Sequence, residues 1–263
     1  MKLEALLFDV DGTLVDTEEL HRQAFNQAFL EFELGWDWGP ALYIDLLAVS
    51  GGVHRIAHYI DTLGLPPAEK VRLRRLIPAI HRAKTHNYGE LLGSTAAQLR
   101  PGIARLIEEA RQAKLRVGVA STSSSVNVDT LLATVFGDER YKLIDAAVAA
   151  DQVARKKPAP DIYELLLTIL RVPALSCIAF EDSANGLAAA KAAGLYTVVT
   201  PTRWTAAQKF IGADLVLPSL GDPDQPLDPV HATVAGAPYL ELARLKALRS
   251  VASLVVTARE AES

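Results

Sequence analysis

Two aspartates one residue apart, Asp9-Val10-Asp11, followed by Gly12 and Thr13, stand directly after the apolar run Leu3 to Phe8. Two carboxylates at this spacing past a strand end face one crevice if the chain leaves β geometry there, and Gly12 permits the sharp exit. One such group can attack while the other moves a proton. Taken alone, the run fits a capped turn equally well, because Asp and Gly are ordinary turn residues. Three further groups change the reading. Ser121-Thr122-Ser123 follows Val117 to Ala120, with hydroxyls and backbone N–H groups able to hold an anionic oxygen. On its own that run is a helix N-cap. Lys157 lies in Lys156-Lys157-Pro158-Ala159-Pro160-Asp161, where prolines stiffen the approach to a helix. Glu181-Asp182 follows Cys177 to Phe180 and precedes Ser183. Each is weak singly. Four in this order, each near its own strand end, point to one site for an anionic ester.

The elements that must position these groups alternate. Strands are expected at Leu3 to Phe8, Leu115 to Ala120, Ala146 to Ala149, Cys177 to Phe180, Tyr196 to Thr200 and Asp214 to Leu217. Helices are expected at Ile103 to Ala113, Ser125 to Phe136, Asp161 to Leu170 and Gly186 to Ala193. Strands separated by helices of this length make a parallel sheet with right-handed crossovers. The fold class is therefore α/β: a Rossmann-like, doubly wound parallel sheet whose functional residues gather at the carboxyl ends of the strands. From Glu18 to about Leu92 the pattern is helical only, broken at Gly35 to Pro40 and at Gly51-Gly52, which makes an inserted α-helical cap. The expected division is a core of residues 1–16 and 100–220, a cap of 17–99, and a Pro-rich surface linker from 221 leading to a terminal helix, Tyr239 to about Leu254.

Composition excludes several classes. With 27 basic and 31 acidic residues the formal net charge is −4, which leaves no electrostatic footprint for nucleic acid. Any anion site must be local. The single cysteine, Cys177, allows neither an internal disulfide nor a thiolate cluster and reads as a small buried hydrophobe. No run approaches the roughly 18 apolar residues of a membrane span. Met1 leads straight into the first strand without a secretory or transit pattern, so a cytoplasmic location is expected, or a plastid one if a transit peptide precedes the chain.

Asp9-x-Asp11-Gly12-Thr13, Ser121, Lys157 and Glu181-Asp182 together resemble the four motifs of haloacid dehalogenase superfamily phosphatases, over about residues 3–217. Asp16-Thr17-Glu18-Glu19-Leu20-His21 and Ser50-Gly51-Gly52-Val53-His54-Arg55 are similar to the β-phosphoglucomutase and CbbY branch. Glu18 to Asn26, Ile80 to Thr85 and Glu181 to Leu187 are most similar to CbbY-type sugar bisphosphate phosphatases. The resemblance implies a four-helix cap, an aspartyl-phosphate mechanism, Mg2+ as cofactor, and a small sugar phosphate as partner, with xylulose-1,5-bisphosphate as substrate.

On that resemblance Asp9 is the nucleophile and Asp11 the general acid and base. Two anions need a bridging divalent cation, and magnesium takes hard oxygen ligands: Asp9, the backbone carbonyl of Asp11 and Asp182, with Glu181 either a ligand through water, the favoured reading, or an orienting group. Lys157 neutralises phosphate and Asp9 together, and Ser121 and Thr122 complete the phosphate cradle. A bisphosphate needs a second anion site. Arg55, beside Gly51 and Gly52, leads, because the glycines allow close approach and Arg binds phosphate bidentately. Lys84 comes next. Arg82 shares that second place, although a solvated helix face suits it somewhat better; Glu18 and His21 read as contacts to sugar hydroxyls, and Trp36 and Trp38 as cap core rather than pocket mouth. A monomer is expected. The rival readings are a β-phosphoglucomutase-like mutase, a phosphoglycolate phosphatase and a non-catalytic binding module. The last is disfavoured because no catalytic position is missing.

Overall fold

Each short apolar run outside the helical insert becomes a strand of a single sheet. The computed structural model describes residues 2–250. Strands β1 (Ala5–Phe8), β2 (Arg116–Ala120), β3 (Ala146–Val148), β4 (Cys177–Glu181), β5 (Tyr196–Val199) and β6 (Leu215–Val216) lie in the order β3-β2-β1-β4-β5-β6. Every pairing is parallel. The order reverses at β1, between β2 and β4, and the crevice beyond the strand ends at such a switch point is where ligands bind. Asp9, Ser121 and Asp182 all follow the three central strands there.

Between β1 and β2 the chain leaves the sheet for four helices, α1 (Glu18–Glu31), α2 (Pro40–Leu46), α3 (Gly52–Thr62) and α4 (Pro67–Ser94). Two breaks fall at the glycines that predict them. A third, over residues 63–66, interrupts what the periodicity reads as continuous helix. Pro66 and Pro67 cause it: a residue before proline is steered away from α geometry, and Pro67 takes the first helical position, where no N–H is needed. The cap has its own apolar cluster, including Phe25, Phe29, Trp38, Tyr43, Ile56, Ile60 and Ile80. Trp38 is fully buried, and Trp36 packs edge-on against Phe29 and Tyr59, so both tryptophans serve that cluster.

Side chains alternate between the two faces of the sheet. Leu6, Phe8, Val117, Val119, Ile178 and Phe180 face α5 (Ile103–Gln112) and α6 (Ser125–Phe136). After the short α7 (Arg140–Leu143), α8 (Asp161–Leu170) and α9 (Ala184–Ala192) cover Ala5, Leu7, Cys177 and Ala179 on the other face. Cys177 is buried there, and burial pushes its thiol up to about 12, so it is an inert packing group.

Residues 221–237, read from sequence as a linker, contain α10 (Pro229–Ala235). They are tied to the core. The Asp222 carboxylate accepts from the Gly102 N–H at 2.6 Å and from Arg105 Nε at 3.1 Å. Leu227, Ala235, Leu240, Leu242 and Leu245 join the α5–α6 cluster. Residues 242–250 are helical; the end of the expected helix, up to Leu254, lies outside the described residues. No helix among the described residues is long and apolar enough to cross a membrane.

Candidate active site

Asp9 emerges from β1 with its N–H donating to Phe180 O at 3.0 Å, which locks the loop to β4. Lys157, only 3% exposed, reaches in from the segment before α8. Its Nζ lies 2.6 Å from Asp9 Oδ1, 2.6 Å from Glu181 Oε1 and 3.0 Å from Ala120 O. Tyr163 on α8 donates to the same Glu181 oxygen. One oxygen of Asp9 is thus fixed by an ammonium, which itself is clamped by Glu181. Burial pushes the Asp9 carboxyl up to about 7 against the pull of Lys157, with Glu181 adding to the rise. Burial also works against the Lys157 charge, but Asp9 and Glu181 outweigh it and hold the ammonium above its ordinary range.

Asp9, Glu181 and Asp182 each offer a carboxylate oxygen within 4.8 Å of the others. Burial first, then Asp9 and Glu181, push the Asp182 carboxyl well above its usual range. The backbone makes room for it: a Cβ on Gly12 would lie 2.3 Å from Asp182 Oδ2. Three buried acids against one ammonium leave a charge deficit that a hard divalent cation would offset, and all-oxygen donors suit magnesium. The residues therefore fit the ion that the sequence implies. Glu181 does not border the cleft. Its Oε1 is taken by Lys157 and Tyr163, and its Oε2 is buried without a partner.

Asp11 is wrapped in donors from the helical insert and from the loop after β2. Its Oδ1 accepts from Thr17 Oγ1 at 2.6 Å, His21 Nε2 at 2.9 Å and Tyr88 OH at 3.4 Å; its Oδ2 accepts from Ser123 Oγ at 2.7 Å and Ser121 Oγ at 3.5 Å. Burial opposes its ionisation, yet His21, Thr17 and Ser123 prevail and hold the carboxyl well below the usual range. Lys84 Nζ lies 2.6 Å from His21 Nδ1. An ammonium donating to Nδ1 leaves the proton on Nε2, the nitrogen that faces Asp11. His21 also stacks on Tyr88, with ring centroids 4.0 Å apart. Burial pulls Lys84 down to about 8, with Asp11 and Glu18 resisting.

A cleft of about 380 Å³ runs from these acids into the cap, with Asp9, Asp11, Asp182, Thr122 and Ser123 at its reactive end and Glu18, Gly51, Gly52, Arg55 and Lys84 beyond. Arg55 Nη1 donates to Tyr43 OH at 3.0 Å, and Tyr43 donates to Glu18 at 2.9 Å. Of the catalytic, metal-ligand and substrate candidates singled out from sequence, all border this cleft except Glu181, held behind it by Lys157 and Tyr163, and two others. Ser121 is fully buried and accepts from the Ser123 N–H at 3.1 Å, so it shapes the turn while Thr122 and Ser123 border the cleft. Arg82 is exposed, as its place on a helix face predicts. Three contributors escape sequence reasoning: Ser123 as a partner of Asp11, Tyr163 as the partner of Glu181, and Lys156, which also lines the cleft. The Ser121–Ser125 run and the Lys156-Lys157 pair carry the first and third signals. Nothing local marks Tyr163.

Residues 3–194 match the haloacid dehalogenase-like hydrolase family. The chain is 46% identical over 245 residues to the plasmid-borne CbbY protein of Cupriavidus necator, covering 93% of this chain and 96% of that protein. It is 44% identical over 220 residues to CbbY of Rhodobacter capsulatus, covering 84% and 95%. A solved structure of Rhodobacter sphaeroides CbbY, a point variant in complex with xylulose-1,5-bisphosphate, is similar with a TM-score of 0.75 at 44% identity, covering 82% of this chain and 94% of that one.

Proposed function

The chain belongs to the haloacid dehalogenase-like hydrolases and is a sugar-phosphate phosphatase, and we propose that it hydrolyses xylulose-1,5-bisphosphate through an aspartyl-phosphate on Asp9. The observation that carries the substrate reading is the single cleft that holds Asp9 and Lys157 at one end and Arg55, Lys84 and Lys156 along its walls. A net-negative chain that concentrates cations along one cleft favours an ester with a phosphate group at each end over a monophosphate. The CbbY relative that binds this sugar bisphosphate supports the same choice.

Phosphoryl transfer asks the protein mainly for alignment and charge neutralisation. Lys157 grips Asp9 Oδ1, which leaves Oδ2 to attack phosphorus. Asp9, Asp182 and the Asp11 carbonyl would hold magnesium, which when bound neutralises the phosphoryl oxygens against the attacking carboxylate. As the bond from Asp9 forms and the bond to the sugar oxygen breaks, Asp11 delivers its proton to that oxygen. The line from Lys84 through His21 to Asp11 provides a path for that proton. Asp11 then takes a proton from the water that attacks the aspartyl-phosphate, and phosphate leaves. Because His21 and Tyr88 come from the cap, cap position sets the affinity of Asp11 for its proton.

Phosphate release should be measured, with magnesium and after chelation, from xylulose-1,5-bisphosphate, ribulose-1,5-bisphosphate, phosphoglycolate, fructose-1,6-bisphosphate and β-glucose-1-phosphate. Preference for the first, lost on chelation, is the expected result. Preference for phosphoglycolate or a hexose phosphate would keep the chemistry and overturn the substrate.

A further inference from the structure

We propose that Trp204 is a positioning residue: it docks the cap onto the core and, through Tyr43, aims Arg55 and Glu18 at the substrate. The inference rests on the reading of the cleft as a sugar bisphosphate site. Trp204 lies in the loop that follows β5, within the catalytic core by sequence, yet its side chain is 2% exposed and buried in the apolar cluster of the cap. Its ring meets Tyr43 edge-on, with centroids 5.7 Å apart at 89°. The hydroxyl of Tyr43 is the shared partner of Arg55, at 3.0 Å, and of Glu18, at 2.9 Å. Both of those side chains border the cleft.

The indole Nε1 is buried without a hydrogen-bond partner, so packing, not polarity, places this ring. The next residue reaches the other end of the cleft: Thr205 Oγ1 donates to Asp182 Oδ2 at 3.3 Å and accepts from the Thr202 N–H at 3.0 Å. Arg100 holds the start of the loop through Thr200 O at 2.6 Å and Pro201 O at 3.2 Å. One loop therefore touches a candidate metal ligand with one residue and the cap cluster with the residue before it. Moving the cap away would strip Trp204 and Tyr43 of their mutual contact and release Arg55 from its set direction.

The test compares Trp204→Ala and Trp204→Phe with the wild type on xylulose-1,5-bisphosphate and on p-nitrophenyl phosphate, which has no second anion for Arg55. Trp204→Ala should raise KM for the bisphosphate about tenfold or more, leave kcat/KM for p-nitrophenyl phosphate within about threefold, and be largely rescued by Phe. Equal losses on both substrates, or an unchanged KM for the bisphosphate, would overturn the proposal. Acrylamide quenching of tryptophan emission, wild type minus Trp204→Phe, gives a readout independent of turnover. A shielded Trp204 in an enzyme that ignores the bisphosphate would sink the substrate reading and keep the docking. A Trp204 quenched as freely as a surface indole would overturn the docking itself.

Discussion

Gly186 packs against Glu181, the carboxylate that clamps Lys157, which makes Gly186→Ala a sharp perturbation. A methyl group at that position would lie 1.8 Å from Glu181 Oε2 and 2.2 Å from Cδ. Ordinary contact requires the carboxylate to retreat by roughly 1.5 Å. It has nowhere to go, because Glu181 is fully buried and its other oxygen is held by Lys157 at 2.6 Å and by Tyr163. Breaking one side of a buried ion pair costs about 3–5 kcal/mol, and Ala in place of a helical Gly returns up to about 1 kcal/mol. The net expectation is a loss of about 3 kcal/mol in urea unfolding. Lys157 loses its second anchor, so the Asp9 carboxylate drifts from its aim, and kcat should fall about tenfold to a hundredfold. Gly89→Ala in α4, where a methyl group meets nothing within 4 Å, is the control and should leave both quantities nearly unchanged. A Gly186→Ala enzyme within about 0.5 kcal/mol of wild type, with kcat intact, would refute the clamp reasoning.

Two other outcomes follow from the same charges. Magnesium should raise Tm, and the rise should shrink between pH 8 and pH 6: burial sets the Asp9 carboxyl at about 7, so below that value the ion must displace a proton, and a pH-independent shift would count against Asp9 as a ligand. Ser123→Ala removes the 2.7 Å donor to Asp11, so the carboxyl rises toward its ordinary range and keeps the proton that a general acid must deliver to higher pH; the alkaline limb of the kcat/KM profile should move upward, whereas a fixed limb would separate Asp11 from the titration.

The sheet was legible because each strand ends in residues that cannot continue it: Asp9 and Gly12 after β1, Ser121 to Ser123 after β2, Asp182 and Ser183 after β4. The proposed nucleophile, acid–base and metal-ligand carboxylates lie among or beside those breaks, so reading the breaks brought Asp9, Asp11 and Asp182 into view together, with Lys157 added by the proline-stiffened run before α8. Helical periodicity in the cap hid the break before Pro67, since α3 and α4 both continue apolar spacing on either side of it. What stayed hidden depends on contacts between distant segments. Tyr163 is an ordinary apolar-face residue of α8 until β4 places Glu181 beside it. His21 reads as a sugar contact but lies between Lys84 and Asp11, an arrangement set by the packing of α4 on α1. The Pro-rich look of residues 221–237 suggested solvent, whereas Asp222 and Leu227 bind that stretch to α5 and its cluster.

The central claim is that Asp9 carries the phosphoryl group. Acid-quenching the enzyme during turnover of a labelled sugar phosphate, then reducing with borohydride, reads it directly, since reduction converts a phosphorylated aspartate to homoserine. The account predicts label on the wild type, homoserine at residue 9 alone, and neither label nor phosphate release from Asp9→Asn. Label on another residue, or an Asp9→Asn enzyme that releases phosphate at more than about a tenth of the wild-type rate, would contradict it.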